Sequence, residues 1–150
     1  GWVIMEAMNS PSFTVESVAW QSHAAELMAI RREVFIVEQQ VPEAEEWDVN
    51  DVRYRHVLAH ENGQAIGCGR LLPDGHIGRM AVLKAWRGKG VGRALLTRLI
   101  TMAREAHMSE AILHAQTHAL RFYEKAGFGA EGDEFMEAGI PHYEMVLRLR

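Results

Sequence analysis

Arg87-Gly88-Lys89-Gly90-Val91-Gly92-Arg93 separates two patterned segments. Before it runs the apolar stretch His76 to Leu83, a strand pattern. After it, Val91, Ala94, Leu95, Leu99, Met102, Ala103 and Ala106 recur at helical spacing. The reading is a strand, a glycine turn, and a long helix opening at Gly90 or Val91. Glycines lack Cβ, so they reach positive φ and let a ligand approach the main chain. The first N–H groups of a helix have no intrahelical acceptor, and the helix dipole favours an anion there by roughly 0.3–1 kcal/mol at an exposed site. Arg87, Lys89 and Arg93 would add charge-assisted hydrogen bonds. The turn from Arg87 to Arg93, with Gly88, Gly90, Val91 and Gly92, is therefore expected to hold a pyrophosphate.

Spacing narrows the kind of turn. No Gly-Lys pair is followed by Ser or Thr, which excludes the P-loop, and a G-x-G-x-x-G fingerprint started at Gly88 and Gly90 would need glycine at Arg93. The pattern that fits is [R/Q]-x-x-G-x-G/A, carried by Arg87, Gly90 and Gly92.

Around this turn the chain reads as one α/β domain over residues 1–150. Its 48% hydrophobic and 24% charged residues are ordinary for a globular protein, and that length supports a core without staples. No apolar run is long enough to span a membrane. A net charge of −4 argues against general nucleic-acid binding. The charges are nonetheless segregated. Gly75 to Arg104 has no acidic residue but seven Lys or Arg positions, whereas Glu43, Glu45, Glu46, Asp48 and Asp51 crowd a short segment. The basic stretch suggests a discrete anionic ligand and the acidic one a cationic amine; chance clustering on solvated faces is the alternative for both.

The single cysteine, Cys68, excludes an internal disulfide and is compatible with a reducing, cytoplasmic compartment. The first residues resemble neither a signal peptide nor a myristoylation site. Residues 1–12 are expected to be a disordered or vector-derived tail, with Met5 or Met8 as the native start.

The remaining elements follow from local pattern. Phe13 to Trp20 alternates as a strand, and Ser22 is expected to cap a helix with Ala24, Leu27, Met28, Arg31, Val34 and Phe35 on one face. Gln39 to Asp51 is read as a loop or short helix. His56–His60 and Ala65–Leu72 form a hairpin through Asn62-Gly63. Ala111–Gln116 is a buried strand, and His118–Ala126 a helix ended by Gly127. Phe128–Phe135 and His142–Leu149 are strands turned by Gly139-Ile140-Pro141. The hairpins imply antiparallel pairing, and the crossover through residues 76–116 implies a parallel pair.

In this arrangement the turn resembles that of the GNAT superfamily of acetyl-CoA-dependent N-acetyltransferases. Ile77 to Leu83 is similar to the GNAT fourth strand, and Ala119-Leu120-Arg121-Phe122-Tyr123-Glu124-Lys125-Ala126-Gly127-Phe128 to its late helix and strand. Arg31 to Gln39 with Pro42, Arg55-His56 and Gly139-Ile140-Pro141-His142 resemble the ElaA/YjcF-like branch. Together these segments cover most of residues 14–149. The resemblance implies the GNAT fold, a mostly antiparallel sheet with one splayed parallel pair, flanked by helices.

It also implies roles. A bulge in the fourth strand, at Met80, Ala81 and Val82, would offer main-chain groups to pantetheine and the thioester oxygen. Gln116 stands where many members carry Asn toward the pantetheine arm and offers the same donor and acceptor on a longer stem. Tyr123, beside Phe122, sits where the family places a general acid for the leaving thiolate. For the base that deprotonates the amine, Glu38, His56 and His142 are favoured among a larger set of carboxylates and histidines. The implied reaction is direct attack of a primary amine on acetyl-CoA. Rival readings are a non-catalytic acyl-CoA-binding module and a transferase of longer acyl chains.

Eight histidines invite a metal site. However, His114 and His118 straddle a strand–helix junction, His56 and His60 are far apart along one strand, and H-E-x-x-H is absent, so no metal is expected. The acceptor's identity is not encoded in a short motif. The late strands leave an edge through which a homodimer could form.

Overall fold

The structure, a computed structural model, describes residues 12–150. The tail expected at the start of the chain, with Met5 and Met8, lies outside the described residues. The order is β1 (Thr14–Val18), α1 (Trp20–Arg31), a π-helical continuation (Arg32–Glu38), α2 (Glu43–Glu46), a 3-10 turn (Val49–Arg53), β2 (Arg55–Glu61), β3 (Gln64–Leu71) and β4 (Ile77–Val82). There follow α3 (Val91–Glu105), β5 (Glu110–Gln116), α4 (Leu120–Glu124), β6 (Gly129–Glu137) and β7 (Ile140–Arg148).

β1 to β4 pair antiparallel in sequence order, and β5, β7 and β6 form a second antiparallel sheet. The two meet at a single parallel bridge, His76 with Ile112, where the Ile112 N–H donates to the Gly75 carbonyl at 3.0 Å. Beyond that bridge β4 and β5 part like a V. Gly75 sits at its vertex with φ 97°, and a Cβ there would lie 2.3 Å from the Glu110 carbonyl oxygen. Only glycine lets the strands close at this point.

The first sheet is buried on both faces. On one, Leu95 and Leu99 of α3 pack with Val57, Ala59 and Ile66; on the other, Leu27, Ile30 and Val34 of the first helix pack with Leu58, Cys68 and Ala81. Alternating side chains of β2 thus feed opposite cores, as the pleat requires. The Glu61-to-Gln64 turn has Asn62 and Gly63 both at positive φ, the tight hairpin geometry that this pair favours.

Several local expectations change. The helix begins at Trp20 after Ala19, and Ser22, inside it, donates back to the Ala19 carbonyl instead of capping. After Arg31 the helix widens into its π continuation, which closes with Gln39 N–H on the Val34 carbonyl. The turn before β7 is Ala138-Gly139, both at positive φ; Ile140 and Pro141 already belong to the strand. Pro141 is tolerated because it lies past the end of β5, where β6 alone pairs with it. The late helix divides into a 3-10 turn at Thr117–Ala119 and the short α4. β6 is the edge of the second sheet, and its ladder breaks between Glu131 and Phe135.

Candidate active site

α3 opens at Gly90, whose φ of 86° is left-handed. Gly88 is also at positive φ, and neither would bring a Cβ within 4 Å of another group. The space over this turn is open. Lys89 lies 5.7 Å from the centre of the Trp86 ring, Arg93 is exposed, and Val91 is buried as the helix's first anchor. Phe122 packs against Gly92, 3.5 Å from where a Cβ would stand.

Three other basic residues of this stretch, Arg87, Arg98 and Arg104, have protein partners. Arg98 donates to the Val15 carbonyl and Arg104 to that of Leu149. Arg87 donates from Nε to the Val82 carbonyl at 3.0 Å and makes a bidentate pair with Glu38. The guanidinium holds the Glu38 carboxyl below the usual carboxylate range, which makes it a weaker base.

At the mouth of the V, β4 is bulged. Arg70 pairs with Gly78 and Cys68 with Ala81, so Arg79 and Met80 together oppose Gly69. Arg79 takes φ 49° there. Past the His76–Ile112 bridge, the gap-facing edge of β4 through Met80, Ala81 and Val82 has no strand neighbour among the described residues.

A cleft of about 630 Å³ occupies the gap, with Met80, Gln116, Tyr123 and His142 on its walls. Tyr123 is half-buried, set edge-on to Phe122 and Phe128, and burial pushes its phenol up. It therefore stays protonated at neutral pH. The Gln116 amide donates to Gln39 Oε1 at 3.2 Å, and its oxygen lies 2.7 Å from His118 Nε2. His142 stacks on Phe135, and its Nδ1 lies 2.7 Å from the Ile140 carbonyl. A carbonyl only accepts, so Nδ1 carries the proton and the neutral ring keeps a lone pair on Nε2. Glu137 Oε2 is 3.7 Å from that nitrogen.

The remaining base candidate, His56, is 1% exposed, lies 2.8 Å from the Asp51 carbonyl through Nε2 and packs on Trp20. It is part of the core and is absent from the cleft wall. Cys68 is buried, and its thiol is pushed up to about 12 by that burial.

Most of the acidic segment has a structural destination that sequence reading missed. Glu46 and Asp51 are buried against Arg31: Nε to Glu46 Oε2 at 2.9 Å, Nη2 to Asp51 Oδ2 at 3.0 Å. Arg70 pairs with Asp51 and Asp48, and Arg79 reaches Glu46 from the bulge. Glu43 pairs with Arg32 at the surface. A solvated face does not describe Glu46 and Asp51; both are buried counter-charges to arginines. Glu45 and Glu46 both line the cleft.

A sequence profile of the Acetyltransferase (GNAT) domain matches residues 10–149. The uncharacterized N-acetyltransferase YjcF of Bacillus subtilis is 38% identical over 121 residues, 78% of this chain and 86% of its own. The chain belongs to the GNAT acetyltransferase family. The crystal structure of Escherichia coli ElaA superposes with a TM-score of 0.82 at 28% identity, covering 90% of this chain and 99% of that one. An acyl-CoA N-acyltransferase from Pseudomonas aeruginosa does so with a TM-score of 0.82 at 30% identity, over 91% and 99%. The GNAT fold expected from the sequence is therefore the observed one, V-shaped strand pair included. The protein is an acyl-CoA-dependent acyltransferase. No helix among the described residues is long and apolar enough to cross a membrane.

Proposed function

We propose that this GNAT protein transfers the acetyl group of acetyl-CoA to a primary amine by direct attack in a ternary complex. The observation that carries this reading is the cleft at the V, where Tyr123, His142, Gln116 and Met80 of the β4 bulge share one space. The diphosphate would rest on the opening of α3, within reach of Lys89 and Arg93, with Gly88, Gly90 and Gly92 leaving the main chain accessible and Phe122 bracing the turn. Arg87, fixed by Glu38 and Val82, would present its remaining donor capacity from one position. The pantetheine arm would lie along β4 like an added strand, with Gln116 beside it.

An amine with a pKa near 10.4 arrives mostly protonated, so a base must free its lone pair. His142 Nε2 suits this role, directly or through one water. Glu38, held in its ion pair, is better placed to position Arg87. As nitrogen attacks the thioester carbon, charge grows on the carbonyl oxygen, and main-chain N–H groups at Met80–Val82 stabilise it. The C–S bond then breaks, and the CoA thiolate takes the Tyr123 proton. The buried, hard-to-ionise Cys68 is a poor acyl carrier, which favours direct transfer over a cysteine intermediate.

Release of CoA thiol from acetyl-CoA across polyamines, amino sugars, aminoglycosides and peptide N-termini tests the proposal. Amine-dependent release with formation of the acetylated amine is expected. A binding module would release none, and a faster reaction with longer acyl-CoAs would move the donor to another chain length.

A further inference from the structure

We propose that His76, His114 and Glu144 form a binding site for a divalent transition metal of the zinc class, beside the cleft that the two histidines line. Three separate segments supply them: His76 follows the turn at the vertex of the V, His114 lies in β5, and Glu144 faces it across the β5–β7 ladder. The parallel bridge of His76 with Ile112 sets His76 beside the face of β5 that carries His114, two residues on. One ligating atom from each of the three lies within 4.8 Å of the others. His114 Nε2 and Glu144 Oε1 are already 3.7 Å apart, and the two rings meet edge to face at 6.0 Å. A tetrahedral zinc ion with bonds of about 2.0–2.1 Å holds its ligands roughly 3.3 Å apart. Closing on an ion therefore takes small side-chain rotations.

The groups behind the ligands point the same way. His76 Nδ1 is buried, 3.0 Å from Asp74 Oδ2 and in ion-pair range without hydrogen-bond alignment. Its main-chain N–H donates to Asp74 Oδ1. His114 Nδ1 lies 3.0 Å from Glu137 Oε1. Each imidazole thus has a carboxylate at Nδ1, leaving Nε2 for an ion. Carboxylate-backed histidine is the usual support of a metal-bound imidazole; it fixes the ring and raises its basicity. Two imidazoles and one carboxylate suit zinc, cobalt, nickel or copper rather than magnesium or calcium. Three protein ligands leave a coordination position open, and both histidines line the cleft. This departs from the expectation of no metal, because a spacing rule inspects neighbours in sequence whereas these ligands come from three segments.

Calorimetry with Zn²⁺ on the untagged full chain, purified with chelator and then freed of it, tests the site. One equivalent should bind in the micromolar range or tighter. Glu144→Gln, isosteric and partly exposed, and His114→Ala should each weaken it at least tenfold, and Asp74→Asn about tenfold. His23→Ala, on α1, should leave it unchanged. Zn²⁺ should raise the melting temperature of the wild type but not of Glu144→Gln, a readout independent of activity. Absence of saturable binding, or equal binding by wild type and both ligand variants, would overturn the proposal.

Discussion

Glu38 and Arg87, 49 positions apart, are locked together by two hydrogen bonds of 2.6 and 2.8 Å. The pair ties the end of the π-helical segment to the start of the glycine turn. Its consequence for catalysis is testable. If Glu38 positions Arg87, Glu38→Ala should raise KM for acetyl-CoA several-fold and leave kcat within about threefold. Loss of a general base would instead lower kcat by about 10²–10⁴. Steady-state kinetics with acetyl-CoA varied at saturating amine separates the two.

Tyr123 should behave in the opposite way. Its phenol is half-buried on the cleft wall and held protonated. Tyr123→Phe keeps the packing with Phe122 and Phe128 and removes only the hydroxyl that would donate the proton. We expect turnover to fall by about 10²-fold or more, with the dissociation constant for CoA little changed. Unaltered turnover would remove Tyr123 from the reaction.

The arginine–carboxylate core should dominate stability around the cleft. Asp51 and Arg31 are each 1% exposed, and Asp51 faces both Arg31 and Arg70. Asp51→Ala would leave Arg31 with Glu46 alone and Arg70 with Asp48 alone, and removing one partner of a buried ion pair costs about 3–5 kcal/mol. Urea denaturation of the wild type and variant measures it directly.

His56 gives the fold an acid-sensitive element. Burial is the main cause holding its imidazole below the ordinary value near 6.5. The unfolded chain therefore binds a proton at this residue before the folded chain does. Its contribution is complete above about pH 6.5 and is lost as pH falls toward the depressed folded value. Denaturation midpoints between pH 7.5 and 5 should fall, and less steeply in His56→Gln.

Much of the fold was legible because its signals are local. The Val91-to-Ala106 period, the Asn62-Gly63 turn and the glycines before α3 each act within a few residues, and each is found where expected. Readings failed where a distant partner decides the outcome. Glu46 and Asp51 look solvated until Arg31, Arg70 and Arg79 converge on them from other elements. A regular helical period runs through Val34 and Phe35, yet the chain widens there into a π-helix that ends with Glu38 on Arg87. Ser22 has the residue type of a cap but falls inside the helix. Of the cleft residues, Tyr123, Gln116 and His142 were within reach of a motif, while His76, His114 and Glu137 share that wall only through strand pairing.

In the proposed reaction, main-chain amides and basic side chains at the start of α3 hold the cofactor's diphosphate. The most direct test is calorimetric titration of CoA into the wild type and into Lys89→Glu/Arg93→Glu, a double change at the mouth of the turn with no ion-pair partner among the described residues to lose. The wild type should bind one equivalent and the variant at least tenfold more weakly, with an unchanged melting temperature. Equal affinity in the two proteins, or no binding by the wild type, would contradict that role for the turn.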